Sequence, residues 1–247
     1  MGSIAAVSPA ILAAGIRKVG SGLHATHSGN SGIGVVTMSL VVAIDGPGGS
    51  GKSTVAYRLA AMLLLPMLST GLYFRTVAWG LSSVVLPDQD DDTADINDWF
   101  DHHEVAVEGQ VGLLNGRALD EELRSKRVQE VLAQVSANPT VRRRILELER
   151  AEIAKLGSCV VEGRDIGSVV WPDAVCKFYL VARLKVRLER RPEEGLQLLD
   201  RDLKDTTRYH APLKVAEDAF VVDNSDESLD VLIARMGDLV KLRAKSC

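Results

Sequence analysis

Gly46-Pro47-Gly48-Gly49-Ser50-Gly51-Lys52-Ser53, followed by Thr54, fits the spacing G-x-x-x-x-G-K-[ST]. These residue types at this spacing do one kind of chemistry well, which is holding phosphate. Glycines let backbone N–H groups close around phosphate oxygens without Cβ clashes. A helix N-terminus behind the loop adds a positive dipole end. Lys52 is placed to reach β- and γ-phosphates, and the Ser53 hydroxyl to ligate Mg²⁺. A chance glycine turn would not keep strand, loop, Lys-Ser and helix in register, as they are here. The loop points to ATP or GTP and leaves open what the nucleotide is used for.

Further polar turns follow strand-like runs, each with arginine. They are Thr70 to Arg75 in "STGLYFR", Glu162-Gly163-Arg164-Asp165, and a tract from Arg183 to Arg208. That tract holds Arg187, Arg190, Arg191, Arg201 and Arg208, and its net charge is only +2, from eight Lys or Arg against six Asp or Glu. Arginines spaced this way suit two phosphate groups approached from several sides. Glu162 ends an apolar strand, a common place for a carboxylate that orients a metal's waters. No N-K-x-D motif is present, which argues against a GTPase. Blander readings stand beside these. Taken alone, Asp165 reads as an internal salt bridge to Arg164 or another arginine. Arg187 and Arg191 share one helix face; they face either ATP or solvent. Arg143 and Arg144 point away from Arg142, and His102, His103 and His210 are expected on the surface or in loops.

The elements that must position these residues alternate. "LVVAID", "SCVVE", "CKFYLVA" and "AFVVD" read as buried strands with helical segments between them, which predicts an α/β fold with a central parallel sheet and helices on both faces. Val55, Leu59, Met62 and Leu63 form one helix face; Leu229, Leu232, Ile233, Met236, Leu239 and Val240 form another, after an Asn224–Ser225 cap. Residues 76–157 break the alternation and read as an insertion. Its first part has nine Asp or Glu between Asp88 and Glu108 and is expected to face solvent. A hairpin around Gly109–Gln110 and two helical runs split by Pro139 follow. Residues 1–37, rich in Ala, Gly and Ser, are expected to be a disordered leader, with Met38 as the working start. The remaining 38–247 read as one domain, and residues 192–208 as a lid.

Composition narrows the classes. Aromatics are 4% and net charge is −4, against a stacking platform or general polyanion binder. Three cysteines without metal spacing or a disulfide framework fit a reducing, cytoplasmic setting.

The chain resembles the bacterial-type cytidylate kinases, P-loop nucleoside monophosphate kinases, from about Leu40 to Met236. The resemblance rests on "AIDGPGGSGKST", "STGLYFR", "NGRALDEELRS", "NPTVRR", "VVEGRDIGSVVWPDA", "KFYL" and "DRDLKDTTRYHAPLKVAEDA". It implies a three-layer sandwich with an inserted acceptor subdomain and a short lid. It implies ATP with Mg²⁺ as donor, CMP and dCMP as acceptors, and a monomer that binds neither nucleic acid nor membrane. By residue, it implies that Thr70 and Arg75 hold the acceptor, with Arg75 on its phosphate. Arg142 and Asp165 read cytosine, Asp205 holds the ribose, and Arg164, Arg201 and Arg208 contact phosphates. Lys52, Arg164, Arg201 and Arg208 are then the catalytic charges, and Ser53 and Glu162 the metal side. Cytosine chemistry agrees: a carboxylate accepts from N4 while a guanidinium donates to N3 or O2, and uracil reverses the first two positions.

Three departures from the family pattern stand out. Ser69 replaces an Asp, Ala133 replaces a base-reading Ser, and only nine residues separate Arg191 from Arg201. Two other functions remain open on sequence: another nucleoside monophosphate kinase with relaxed base choice (UMP or AMP), or a non-catalytic nucleotide-binding protein of the same fold.

Overall fold

The computed structural model describes residues 16–18, 39–82, 93–195 and 197–246. Its main sheet has the order β1-β9-β8-β2-β7-β3. The five parallel strands are β2 (Val41–Asp45), β3 (Met67–Ser69), β7 (Cys159–Glu162), β8 (Cys176–Val181) and β9 (Phe220–Asp223). β2 is central and buried at every position, as a strand covered on both faces must be. Its alternate side chains feed two cores. Val42 and Ile44 pack with α1 (Lys52–Leu63) and α8 (Leu229–Ala244). Val41 and Ala43 pack with α2 (Gly71–Leu81), α4 (Lys126–Ala137) and α5 (Pro139–Leu156). The result is the expected three-layer α/β architecture.

Residues 105–119 add a second, antiparallel sheet. β4 (Val105–Glu108) and β5 (Val111–Leu114) form the expected hairpin, and β6 (Arg117–Leu119) extends it. Pro139 opens α5, and Asn138 Oδ1 caps it by accepting from Val141 N at 3.0 Å. The acidic stretch conceals a helix, α3 (Thr93–His102), which buries Ile96 and Phe100. Asp95, Asp98 and Asp101 are exposed on it, so this part of the charge run is a solvated face; residues 83–92 lie outside the described residues.

Other expectations need correction. Met62 is 39% exposed rather than core. The cap of α8 is Ser228, whose Oγ accepts from Val231 N, because Asn224 and Ser225 are engaged elsewhere. Ile16–Lys18 (β1) lies antiparallel on β9, against the disorder expected there; the rest of 1–37 lies outside the described residues. Among the described residues no helix is long and apolar enough to cross a membrane.

Candidate active site

The phosphate loop leaves the C-terminal end of β2, where open parallel sheets bind ligands. Gly46 has φ 148°, and a Cβ there would lie 2.1 Å from Leu180 O, so glycine is required. Ser50 Oγ and Lys52 Nζ both donate to Pro47 O, each at 2.9 Å. Asn224 Nδ2 (2.9 Å) and Arg190 Nη1 (3.2 Å) donate to Ser50 O and brace the loop from outside. Burial, and next Arg164, push the Lys52 ammonium down to about 7.

Oxygen donors gather where the loop meets β3 and β7. Ser53 Oγ (3.2 Å) and Ser69 Oγ (2.5 Å) both donate to Glu162 Oε1. Among the described residues no group of three His, Cys, Asp or Glu forms a metal cage. One carboxylate and hydroxyls suit Mg²⁺, which keeps its waters and takes phosphate oxygens.

Across the loop lies the acceptor side. Thr70 N and Oγ1 both donate to Glu162 O at 3.1 Å, which ties the start of α2 to the end of β7. Arg75 donates to Leu123 O at 3.0 Å. Arg142 Nη2 donates to Asp165 Oδ2 at 2.5 Å, and its guanidinium lies over Phe74. Arg208 lies 3.5 Å from the other Asp165 oxygen and 3.3 Å from Asp205 Oδ1. Burial pushes the Asp165 carboxyl up, while Arg142 and Arg208 pull it back. Arg164 spans both halves: it donates to Gly46 O at 3.0 Å and pairs with Asp202 (3.4 Å) and Asp205 (3.3 Å). Burial, then Arg164 and Arg75, push Arg201 down to about 10. Buried cations that depress one another mark a place built for polyanions. Asp205 Oδ2 and Arg208 Nη2 are buried and held by these ion pairs alone, without a hydrogen bond.

All these groups face one cleft of about 1110 Å³, lined by both sides. Gly48, Gly49, Gly51, Lys52, Ser53 and Thr54 line it; Gly46, Pro47 and Ser50 form the loop behind. Thr70, Arg75, Arg142, Glu162, Arg164, Asp165, Arg201, Asp205 and Arg208 all reach it. The internal salt bridge weighed for Asp165 does form, to Arg142 and Arg208 rather than Arg164.

Several readings change. Arg187 is neither a solvated residue nor part of the cleft lining. It is buried, donates to Gly48 O at 2.6 Å and pairs with Asp202. Asp202 also accepts from Gly48 N at 2.8 Å, so it pins α7 (Gln197–Thr207) to the phosphate loop. Arg191 faces the cleft rim and pairs with Glu193 at 3.5 Å. Arg143 and Arg144 hold Asn97 and Asp101 on α3. Ala133 is exposed and outside the lining, whereas Ser136, one turn on, lines the cleft. His102, His103 and His210 keep to the surface or to local contacts.

Sequence reading missed Asp45 and Asp202. Asp45 accepts from Ile166 N (2.7 Å) and Gly167 N (2.8 Å), and so fixes the turn that carries Asp165. Burial pushes its carboxyl up to about 7 against those amides. Its place just before Gly46 was the only available signal. Nothing in local spacing marks Asp202.

The cytidylate kinase family pattern matches residues 42–242. A cytidylate kinase of Carboxydothermus hydrogenoformans is 38% identical over 218 residues, covering 81% of this chain and 96% of its own. Those of Syntrophotalea carbinolica (37%; 84% and 94%) and Fervidobacterium nodosum (35%; 84% and 99%) are similar in extent. With a parallel sheet, a phosphate loop and an arginine-lined acceptor cleft in place, this chain belongs to the cytidylate kinase family.

Proposed function

We propose that this protein transfers the γ-phosphoryl group of ATP to CMP and dCMP, forming CDP or dCDP and ADP. The observation that carries the reading is the Arg142–Asp165 pair set across one cleft from Lys52, with Arg75, Arg164, Arg201 and Arg208 between. The pair supplies an acceptor for cytosine N4 and a donor for N3 or O2. Asp205 is suited to the ribose, and the arginines to the acceptor phosphate. Residues 76–157 then serve as the acceptor-binding insertion and 192–208 as the lid.

The nucleophile is a phosphate oxygen of the acceptor, already ionised at neutral pH. It attacks the γ-phosphorus, the β–γ bridging bond breaks, and ADP leaves. No general base is needed; positioning and charge neutralisation do the work. Lys52 and the arginines hold the transferring group. Ser53 and Glu162, with Ser69 beside them, are suited to hold Mg²⁺, which supplies charge neutralisation at the donor phosphates. The family supports a cytoplasmic monomer acting on free nucleotides.

The test is an acceptor panel of CMP, dCMP, UMP and AMP with ATP and Mg²⁺. CMP and dCMP are expected to lead; preference for UMP or AMP overturns the base assignment. Lys52→Ala is expected to abolish transfer, which separates an enzyme from a nucleotide-binding protein.

A further inference from the structure

Asp45 ends β2, one residue before the phosphate loop, and is 4% exposed. Both of its oxygens are engaged. Oδ1 accepts from Ile166 N at 2.7 Å and Oδ2 from Gly167 N at 2.8 Å. These two amides open a single π-helical turn, Ile166–Val170, closed by Val170 N on Asp165 O (3.1 Å) and Trp171 N on Ile166 O (2.7 Å). The first amides of a helical turn have no partner within it. The side chain just before the turn is the usual acceptor, and aspartate is among the best. Here that residue is Asp165, yet its carboxylate makes no bond to the turn it opens.

Asp165 is turned the other way. Its Oδ2 accepts from Arg142 Nη2 at 2.5 Å, and its Oδ1 lies 3.5 Å from Arg208. The amide that a capping Asp165 would reach, Gly167 N, is already taken by Asp45. The same two loops are joined on either side of this contact. Gly163 N donates to Ile44 O (3.0 Å), and Arg164 Nη1 to Gly46 O (3.0 Å). Glycine at 167 lets the acid come close: a Cβ there would lie 3.4 Å from Asp45 Oδ2 and 3.0 Å from Lys177 Cδ.

We propose that Asp45 is a positioning residue for base choice. It caps the 166–170 turn in place of Asp165, and so leaves the Asp165 carboxylate to Arg142 and the acceptor base. The proposal rests on the acceptor-site reading above. A buried amide left without an acceptor is costly. Without Asp45, the adjoining carboxylate, Asp165, turns back onto Gly167 N. Arg142 then loses its acid, and cytosine N4 loses its acceptor. The phosphate loop keeps its own bonds, from Ser50 and Lys52 to Pro47 O and from Asn224 to Ser50 O, none of which uses Asp45.

The test is a double-mutant cycle of Asp45→Asn and Asp165→Asn, with KM read for CMP, UMP and ATP. A carboxamide has one oxygen, so Asp45→Asn serves one amide and sets an N–H against the other. It is expected to raise the CMP KM about tenfold and to lower the preference for CMP over UMP by about the same factor. The ATP KM is expected to stay within about twofold. In the Asp165→Asn background the same change is expected to add less than about twofold, because the group it acts through is already lost. Equal rises in donor and acceptor KM, or effects that multiply in full in the double variant, would each overturn the proposal. Asp45→Thr, with one acceptor oxygen and a similar shape, repeats the cycle with the same expectations where Asp45→Asn melts too early to assay. In the wild type, amide hydrogen exchange at Ile166 and Gly167 is expected to be as slow as in β7; fast exchange there also overturns it. A wild type that prefers UMP or AMP removes the cytidine reading alone, and the coupling of Asp45 to Asp165 is then read with the preferred acceptor.

Discussion

Lys52 is the residue whose chemistry is most exposed to pH. Burial and Arg164 push it down to about 7, so near neutrality the free enzyme holds it only partly charged. A triphosphate favours the charged form, so donor binding takes up a proton. Affinity for ATP is then highest below that value and falls as pH rises through it. Donor titrations across this range check the sign; affinity that rises with pH contradicts it. Ser69 is the other residue whose meaning sharpened. Its hydroxyl donates to the same Glu162 oxygen as Ser53, so the position keeps an oxygen beside Glu162 without a second negative charge. These roles were half legible. The G-K-S spacing named Lys52 and Ser53, because a phosphate loop is local.

At the scale of elements, α7 is held on the phosphate loop by one carboxylate. Asp202 takes the Gly48 amide, Arg187 and Arg164 together, and the Arg187 side chain is only 10% exposed. Asp202→Ala leaves that guanidinium buried without its acid, which costs on the order of 3 kcal/mol. It also frees α7, the lid under the proposed function. The variant is expected to melt earlier and to hydrolyse more ATP per CDP formed, because a loose lid admits water. Thermal melts and the ratio of ADP to CDP measure this; an unchanged ratio removes the lid clamp. The Arg-rich tract looked like one class of residue in sequence. The structure places Arg190, Arg191, Arg201 and Arg208 on the cleft, with Arg190 also bracing the loop, and puts Arg187 behind the loop. The short spacing from Arg191 to Arg201 is thus filled by a turn and a helix that reaches directly over Gly48.

For the whole molecule, every site residue lies at Asp45 or later, and the five parallel strands begin at Val41. A chain started at Met38 loses only β1 at the sheet edge among the described residues before it. Its turnover is expected to stay within about twofold of the full chain, since a surface edge strand carries little of the core. A large loss of activity would assign residues 1–37 a role in the site. The sequence alone determined the α/β alternation, because strands buried on both faces need continuous apolar runs. It determined the phosphate loop for the same local reason, and residue by residue its likeness to a family marked the acceptor groups. Tertiary structure decided which arginine meets which acid. Asp45 meets Ile166, Asp202 meets Gly48 and Arg142 meets Asp165 across 121, 154 and 23 residues of chain. Such pairs depend on how the loops at the ends of neighbouring strands converge, and no local spacing encodes that.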